Sequence, residues 1–226
     1  MKIEYLGHAV VHIEDQGFKG IIDPFLKGNP GCSRSPGDFK ELDYIFVTHG
    51  HSDHIGDTLE LARATSAKVV ANAEIIDYLR KQGLENLHAM HIGGKFQTDF
   101  GFIKMTPALH GSGISHQGEM LYGGSPGGYL LKVQGKKIYH AGDTGLTMDM
   151  KLLEEEAVDV AFLPIGGNYT MDIEDAVRAV SFIRPRVVIP IHYDTFEVIT
   201  ADPEDFKCRV KDAEVVVLSP GATYEL

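Results

Sequence analysis

The chain has 226 residues, 43% hydrophobic and 23% charged, long enough to bury one large core, so a single domain over 1–226 is expected. Its 32 acidic and 21 basic side chains leave a formal net charge of −11, a balance that repels a phosphate backbone and argues against nucleic acid as a partner. Cys32 and Cys208 lie in no ligand spacing, and Met1 to Gln16 carries too many polar groups for a signal-peptide core or a membrane span. A cytoplasmic protein with no membrane partner is the expectation.

Short apolar runs at Ile3 to Leu6, Ala9 to Ile13 and Gly20 to Ile22, separated by Gly7 and by Asp15-Gln16-Gly17, predict a β-meander. Residues 27–38 are dense in Gly, Pro and Ser and predict a long loop of the kind that often carries function. A strand is predicted at Tyr44 to Val47, a helix from Thr58 to Ala64, a strand at Lys68 to Ala71, and a helix from Glu74 to Gln82 stopped by Gly83. Further strands are predicted at Phe102 to Thr106, Tyr129 to Val133 and Lys137 to His140, the last two joined by a Gln134-Gly135 turn and preceded by an irregular stretch at 123–128. The last third alternates: strand at Val158 to Leu163, helix at Ile173 to Ile183, strand at Val187 to Ile191, helix at Pro203 to Val210, strand at Val215 to Leu218. Asp172 and Asp202 suit helix N-caps. Strands and helices mixed in both halves imply a layered α/β fold with helices outside the sheets.

The densest chemical signal is Thr48-His49-Gly50-His51-Ser52-Asp53-His54, between a buried strand and the next helix. In extended chain, residues two apart point to the same side, so His49 and His51 can grip one ion together. The turn that follows sends Asp53 and His54 elsewhere, which leaves room for a second ion. A zinc site takes three or four protein ligands, so more must come from other segments. His110, Asp143 and His192 each follow a strand beside turn residues and suit that need.

In this order, the motif, the lone histidine, the aspartate and the final histidine resemble the metallo-β-lactamase superfamily. Gly7-His8-Ala9, Ala141-Gly142-Asp143-Thr144-Gly145, Pro164-Ile165-Gly166-Gly167 and Ser219-Pro220-Gly221-Ala222 are similar to its UPF0173-type metal-dependent hydrolases, related to ascorbate-6-phosphate lactonase-like and phospholipase-D-type members. The resemblance implies an αβ/βα four-layer sandwich of two mixed β-sheets with helices on the outer faces. It implies one metal site of His49, His51 and His110, a second of Asp53, His54 and His192, and Asp143 bridging them. Asp23 would support the ligand loop from behind. Two divalent ions are expected, zinc first, with manganese, iron or nickel also suited to such ligands.

The chemistry expected is hydrolysis of a small ester, lactone, amide or phosphodiester by a metal-bridged hydroxide, with Asp53 orienting it. His8 is expected near the metals, against substrate or a ligand, and His8 and Tyr169 are the candidate proton donors. His140 is expected to support a ligand or to sit satisfied in the core. Asn168 and Tyr169 are expected to line the pocket, and His116 is the rival of His110 for the third ligand position. A non-catalytic metal-binding protein is the main alternative. A nuclease of this fold would need an added clamping domain, and a diiron redox protein would need a carboxylate at position 51. Specificity is expected from loops 27–38, 111–128 and 166–171, and association into a homo-oligomer is compatible with the sequence.

Overall fold

The computed structural model describes residues 1–226. Strands β1 (Lys2–Tyr5), β2 (Val11–Asp15) and β3 (Phe18–Ile22) form the predicted meander. Then β4 (Tyr44–Phe46), helices α1 (Ser52–Ile55) and α2 (Thr58–Thr65), β5 (Lys68–Asn72), α3 (Ala73–Lys81) and β6 (Leu87–Met90) complete most of one sheet. The second sheet holds β7 (Lys95–Thr98), β8 (Gly101–Pro107), β11 (Gly127–Val133), β12 (Lys136–His140), β13 (Val160–Pro164), β14 (Val187–Ile191) and β15 (Glu214–Val215). Between β8 and β11, β9 (Gly113–His116) and β10 (Glu119–Tyr122) make a separate hairpin. Helices α4 (Ile173–Ile183) and α5 (Pro203–Arg209) follow β13 and β14, and the last strand, β16 (Thr223–Glu225), returns to pair with β1.

Both sheets have seven strands. In each, three antiparallel pairings are followed by three parallel ones: β16-β1-β2-β3 then β3-β4-β5-β6, and β7-β8-β11-β12 then β12-β13-β14-β15. Parallel strands are covered on both faces, so their side chains are apolar in either direction. In β13, Val160 and Phe162 point into the core between the sheets, while Ala161 and Leu163 meet the α4 and α5 layer. Ile45 and Val69 face the α2 and α3 layer, whereas Phe46 and Val70 face the second sheet. This is the four-layer αβ/βα sandwich that the resemblance implied.

The Tyr129 hydroxyl ties the layers, lying 2.9 Å from the Val47 carbonyl and 3.0 Å from that of Val70. Asp172 and Asp202 cap α4 and α5 as expected, accepting from the Asp175 and Glu204 amides. Two expectations need correction, and one element was not expected. Residues 111–128 are not all irregular, since they contain the β9–β10 hairpin and the start of β11. The final strand stops at Val215 rather than running to Leu218. The segment Met148–Glu156 forms a 3-10 helix begun by Thr147, whose hydroxyl accepts from the Asp149 amide. No helix is long and apolar enough to cross a membrane.

Candidate metal centre

Strand ends from both sheets meet at one edge. The chain leaves β1 to reach His8, β3 to reach Asp23, β4 to reach His49 through His54, β8 to reach His110, β12 to reach Asp143 and β14 to reach His192. Three of these residues hold left-handed backbone, His8 (φ 58), Asp23 (φ 48) and His192 (φ 55), a conformation that costs a non-glycine residue free energy and concentrates at functional sites. The His192 amide donates to the His8 carbonyl at 2.7 Å, so two of these bends fix each other across the seam.

His49 Nε2 lies 3.0 Å from His51 Nδ1, which lies 3.2 Å from His110 Nε2. Ligand nitrogens around a tetrahedral ion with bonds near 2.0–2.1 Å stand about 3.3 Å apart, so these two separations are close to what an ion needs. Asp143 adjoins it: Oδ2 is 3.5 Å from His110 Nε2 and 3.0 Å from His192 Nε2, while Oδ1 is 3.3 Å from His54 Nε2. His54 Nε2, His192 Nε2 and Asp143 Oδ1 are buried without an aligned hydrogen bond. Buried polar atoms are seldom left so, and a divalent cation among them would satisfy all three. Three donor groups, His49 with His51 and His110, His49 with His54 and Asp143, and His8 with Asp53, His54 and His192, are each tight enough to hold an ion.

Behind these atoms, Asp23 organises the ring orientations. Its Oδ1 accepts from the Thr48 amide at 2.8 Å, and its Oδ2 accepts from the Thr48 hydroxyl at 2.7 Å and from His54 Nδ1 at 2.8 Å. With its proton on Asp23, the Thr48 hydroxyl accepts from His49 Nδ1 at 3.0 Å. Both His49 and His54 are thereby protonated at Nδ1 and turn Nε2, the atom left for a metal, toward Asp143.

Burial lowers the pKa of His49, His51 and His110, so their neutral, metal-binding form is favoured. For Asp143, burial acts to raise the carboxyl pKa, but the charges of His54 and His192 outweigh it and hold the group well below the usual range. His54 is the converse: burial opposes its charge, yet Asp143 and Asp23 raise its pKa well above that of a free imidazole. An ion at this point would take the place of the His54 proton.

His8 has its side chain fully enclosed. Its Nε2 lies 3.1 Å from Asp53 Oδ2 and its Nδ1 lies 2.9 Å from the Thr195 hydroxyl. Burial is the main cause that lowers its pKa to about 4. It therefore touches a candidate ligand and exposes no side-chain surface of its own. His140 donates from Nε2 to the Ala9 carbonyl at 2.9 Å and accepts the Gly142 amide at Nδ1, so it braces the loop that carries Asp143 and hydrogen-bonds to backbone rather than to a candidate ligand.

The cleft over these groups has a volume of about 240 Å³ and is lined by His51, Asp53, His110, Asp143, Tyr169, His192 and Phe196. Tyr169 is among the residues that line it. Asn168 is exposed and lies outside the lining. His116 sits away from the centre, 3.3 Å from the Tyr78 hydroxyl, which leaves His110 as the residue that joins the group. Thr48, Thr195 and Phe196 were not anticipated. Thr48 abuts the motif and was open to detection there, but nothing in the sequence marks Thr195 or Phe196.

Residues 20–193 match the family described as the Beta-lactamase superfamily domain. Over 99% of both chains, the protein is 54% identical to a UPF0173 metal-dependent hydrolase of Alkaliphilus metalliredigens. It is 50% identical to another of that description from a Geobacillus species, over the full length of both. Among solved structures, a metallo hydrolase of the hyperthermophilic archaeon Ignicoccus hospitalis is 40% identical and superposes with a TM-score of 0.88, covering 100% of this chain and 98% of that one. The chain belongs to the beta-lactamase superfamily, in its UPF0173 group of metal-dependent hydrolases.

Proposed function

We propose that the protein hydrolyses a small ester, lactone, amide or phosphodiester at a centre of two divalent ions, zinc being the first candidate. The observation that carries this reading is Asp143, whose two oxygens face different histidines: Oδ1 faces His54, and Oδ2 faces His192 and His110. His49, His51 and His110 would hold one ion, Asp53, His54 and His192 the other, and Asp143 both. Two such ions supply Lewis acidity when bound, acidifying water and offsetting charge on the reacting group.

Asp53 is the one proposed ligand of the second set that is part exposed at the cleft, so it can orient the attacking water while binding. His8 acts through Asp53 as a positioning residue, and Thr195 fixes its ring from the other side. In the reaction the water oxygen bonds to the carbonyl carbon or phosphorus and the bond to the leaving oxygen or nitrogen breaks. Tyr169, exposed beside the cleft, is placed to give that leaving atom its proton.

The test is elemental analysis of protein reconstituted with zinc or manganese, paired with a substrate screen on wild type and Asp143→Asn. Close to two ions per chain are expected in the wild type. The variant, which keeps the shape but loses the charge that offsets two dications, should bind at least one ion more weakly and turn over at least about 100-fold more slowly. One ion or none in wild type, or near-wild-type turnover in Asp143→Asn, would refute the bridged centre.

A further inference from the structure

Basic side chains are missing from every segment that builds the metal edge. No Lys or Arg occurs in 41–62, 105–131, 138–150, 152–177 or 187–206, although the chain has 21 of them. The cleft lining holds none either. The two basic residues of the nearby 27–38 loop are already engaged: Lys27 pairs with Glu60, and Arg34 Nη1 pairs with Glu4 Oε2 at 2.6 Å while stacking on Phe39. The same segments also expose large apolar side chains. Leu109 is 61% exposed beside His110, Tyr169 57% and Val198 55%, with Phe196 in the cleft wall. Asp194 and Glu197 add negative charge to the 192–200 loop.

Resting on the hydrolase reading above, we infer that the substrate is uncharged away from the bond that is cleaved and carries an apolar chain there. A phosphate or carboxylate remote from the reacting bond needs a cation or a row of donors to replace its water, and this edge supplies no cationic side chain. With a net charge of −11 the field of the molecule adds repulsion instead. The reacting group itself is served at the centre, so one negative charge there, as in a diester, is tolerated. At about 240 Å³ the cleft takes only the reacting group and its neighbours. The remaining chain would lie over Phe196, Val198 and Leu109, whose apolar surface is otherwise in water.

Straight-chain hydroxamates, which bind metal centres without being hydrolysed, test this by calorimetry on zinc-loaded protein of measured metal content. Octanohydroxamate is expected to bind at least about tenfold more tightly than acetohydroxamate, since each buried methylene contributes. The same chain ending in a carboxylate should lose at least about tenfold against octanohydroxamate. Leu109→Ser with Val198→Ser, both at exposed positions, should cut the chain-length gain by at least about threefold. Val198→Lys should strengthen binding of the carboxylate-ended probe. Affinity independent of chain length, or tighter binding of the carboxylate-ended probe by wild type, would overturn the inference while leaving the hydrolase reading intact. Loaded protein that binds no hydroxamate, or protein that takes up no metal, would overturn both.

Discussion

The hydroxyl of Thr48 has one proton, which goes to Asp23, so its lone pair is left to receive the Nδ1 proton of His49. A valine at this position has the same shape and no hydroxyl, so the His49 ring would lose its partner and its preferred tautomer. Thr48→Val is expected to weaken metal binding about 10- to 100-fold with the fold retained, and Thr48→Ser to recover most of it. Competition with a metal-sensitive dye reads both. Equal affinity in Thr48→Val would mean that His49 does not depend on this chain of hydrogen bonds. The dense His-x-His-x-Asp-His motif could be read from sequence because six adjacent positions carry it. The support behind it is harder to see, because Asp23 and Thr48 are 25 residues apart and become neighbours only when β3 and β4 pair. Thr195 is harder still, being 187 residues from His8.

Strands with both faces apolar, such as β13 and β14, and a helix with one apolar face, such as α4, announce themselves by continuous or periodic hydrophobic runs, and their bounds were legible to within a residue or two. The strands that were missed lack that signal. Residues 87 to 90 are mostly half-exposed, those of β7 alternate between exposed and half-exposed, and the β9–β10 hairpin is largely open to solvent. Their conformation is set by the neighbour each one pairs with, which a single sequence does not display. Contacts between layers are equally invisible. Tyr129 lies on β11, yet its hydroxyl serves two carbonyls of the first sheet. Tyr129→Phe should cost about 1–1.5 kcal/mol in chemical denaturation, with metal content unchanged. Loss of metal along with stability would show that the two sheets are set apart by this bond and not merely fastened.

At the scale of the whole molecule, acid is expected to act through buried neutral histidines as well as through metal loss. His140 is fully buried, and burial lowers its pKa. Below about pH 6.5 the unfolded chain takes up a proton that the folded ring refuses, so the stability His140 contributes is complete above that pH and is lost as pH falls toward the folded pKa. His49, His51 and His110 act in the same direction. Metal-free protein in chelator should therefore melt at progressively lower temperature below about pH 6.5, and His140→Gln, which keeps a donor for Ala9, should flatten the slope. An unchanged slope in that variant would assign the acid sensitivity to the other rings.

The matching order of the two sheets has a consequence for how the molecule can be divided. Strands β1 and β8 hold the same place in their sheets, and each is followed three residues later by a histidine, His8 and His110; β3 and β12, again equivalent, lead to Asp23 and Asp143. The protein thus reads as two half-domains about a pseudo-twofold axis, with the candidate metal centre on their seam. One aspartate of the pair is a buried acceptor and the other the proposed shared ligand. Of the seven proposed ligands, the first half brings His49, His51, Asp53 and His54, and the second brings His110, Asp143 and His192. A cut in the exposed turn at 91–94 breaks no strand and separates the halves except for β16, which stays with the second fragment and has to return to β1. Separately produced fragments 1–92 and 93–226 are expected to recombine when mixed, to do so far more tightly with zinc than with chelator, and to bind metal weakly when alone. Recombination indifferent to zinc would place the cohesion of the halves in the apolar core alone.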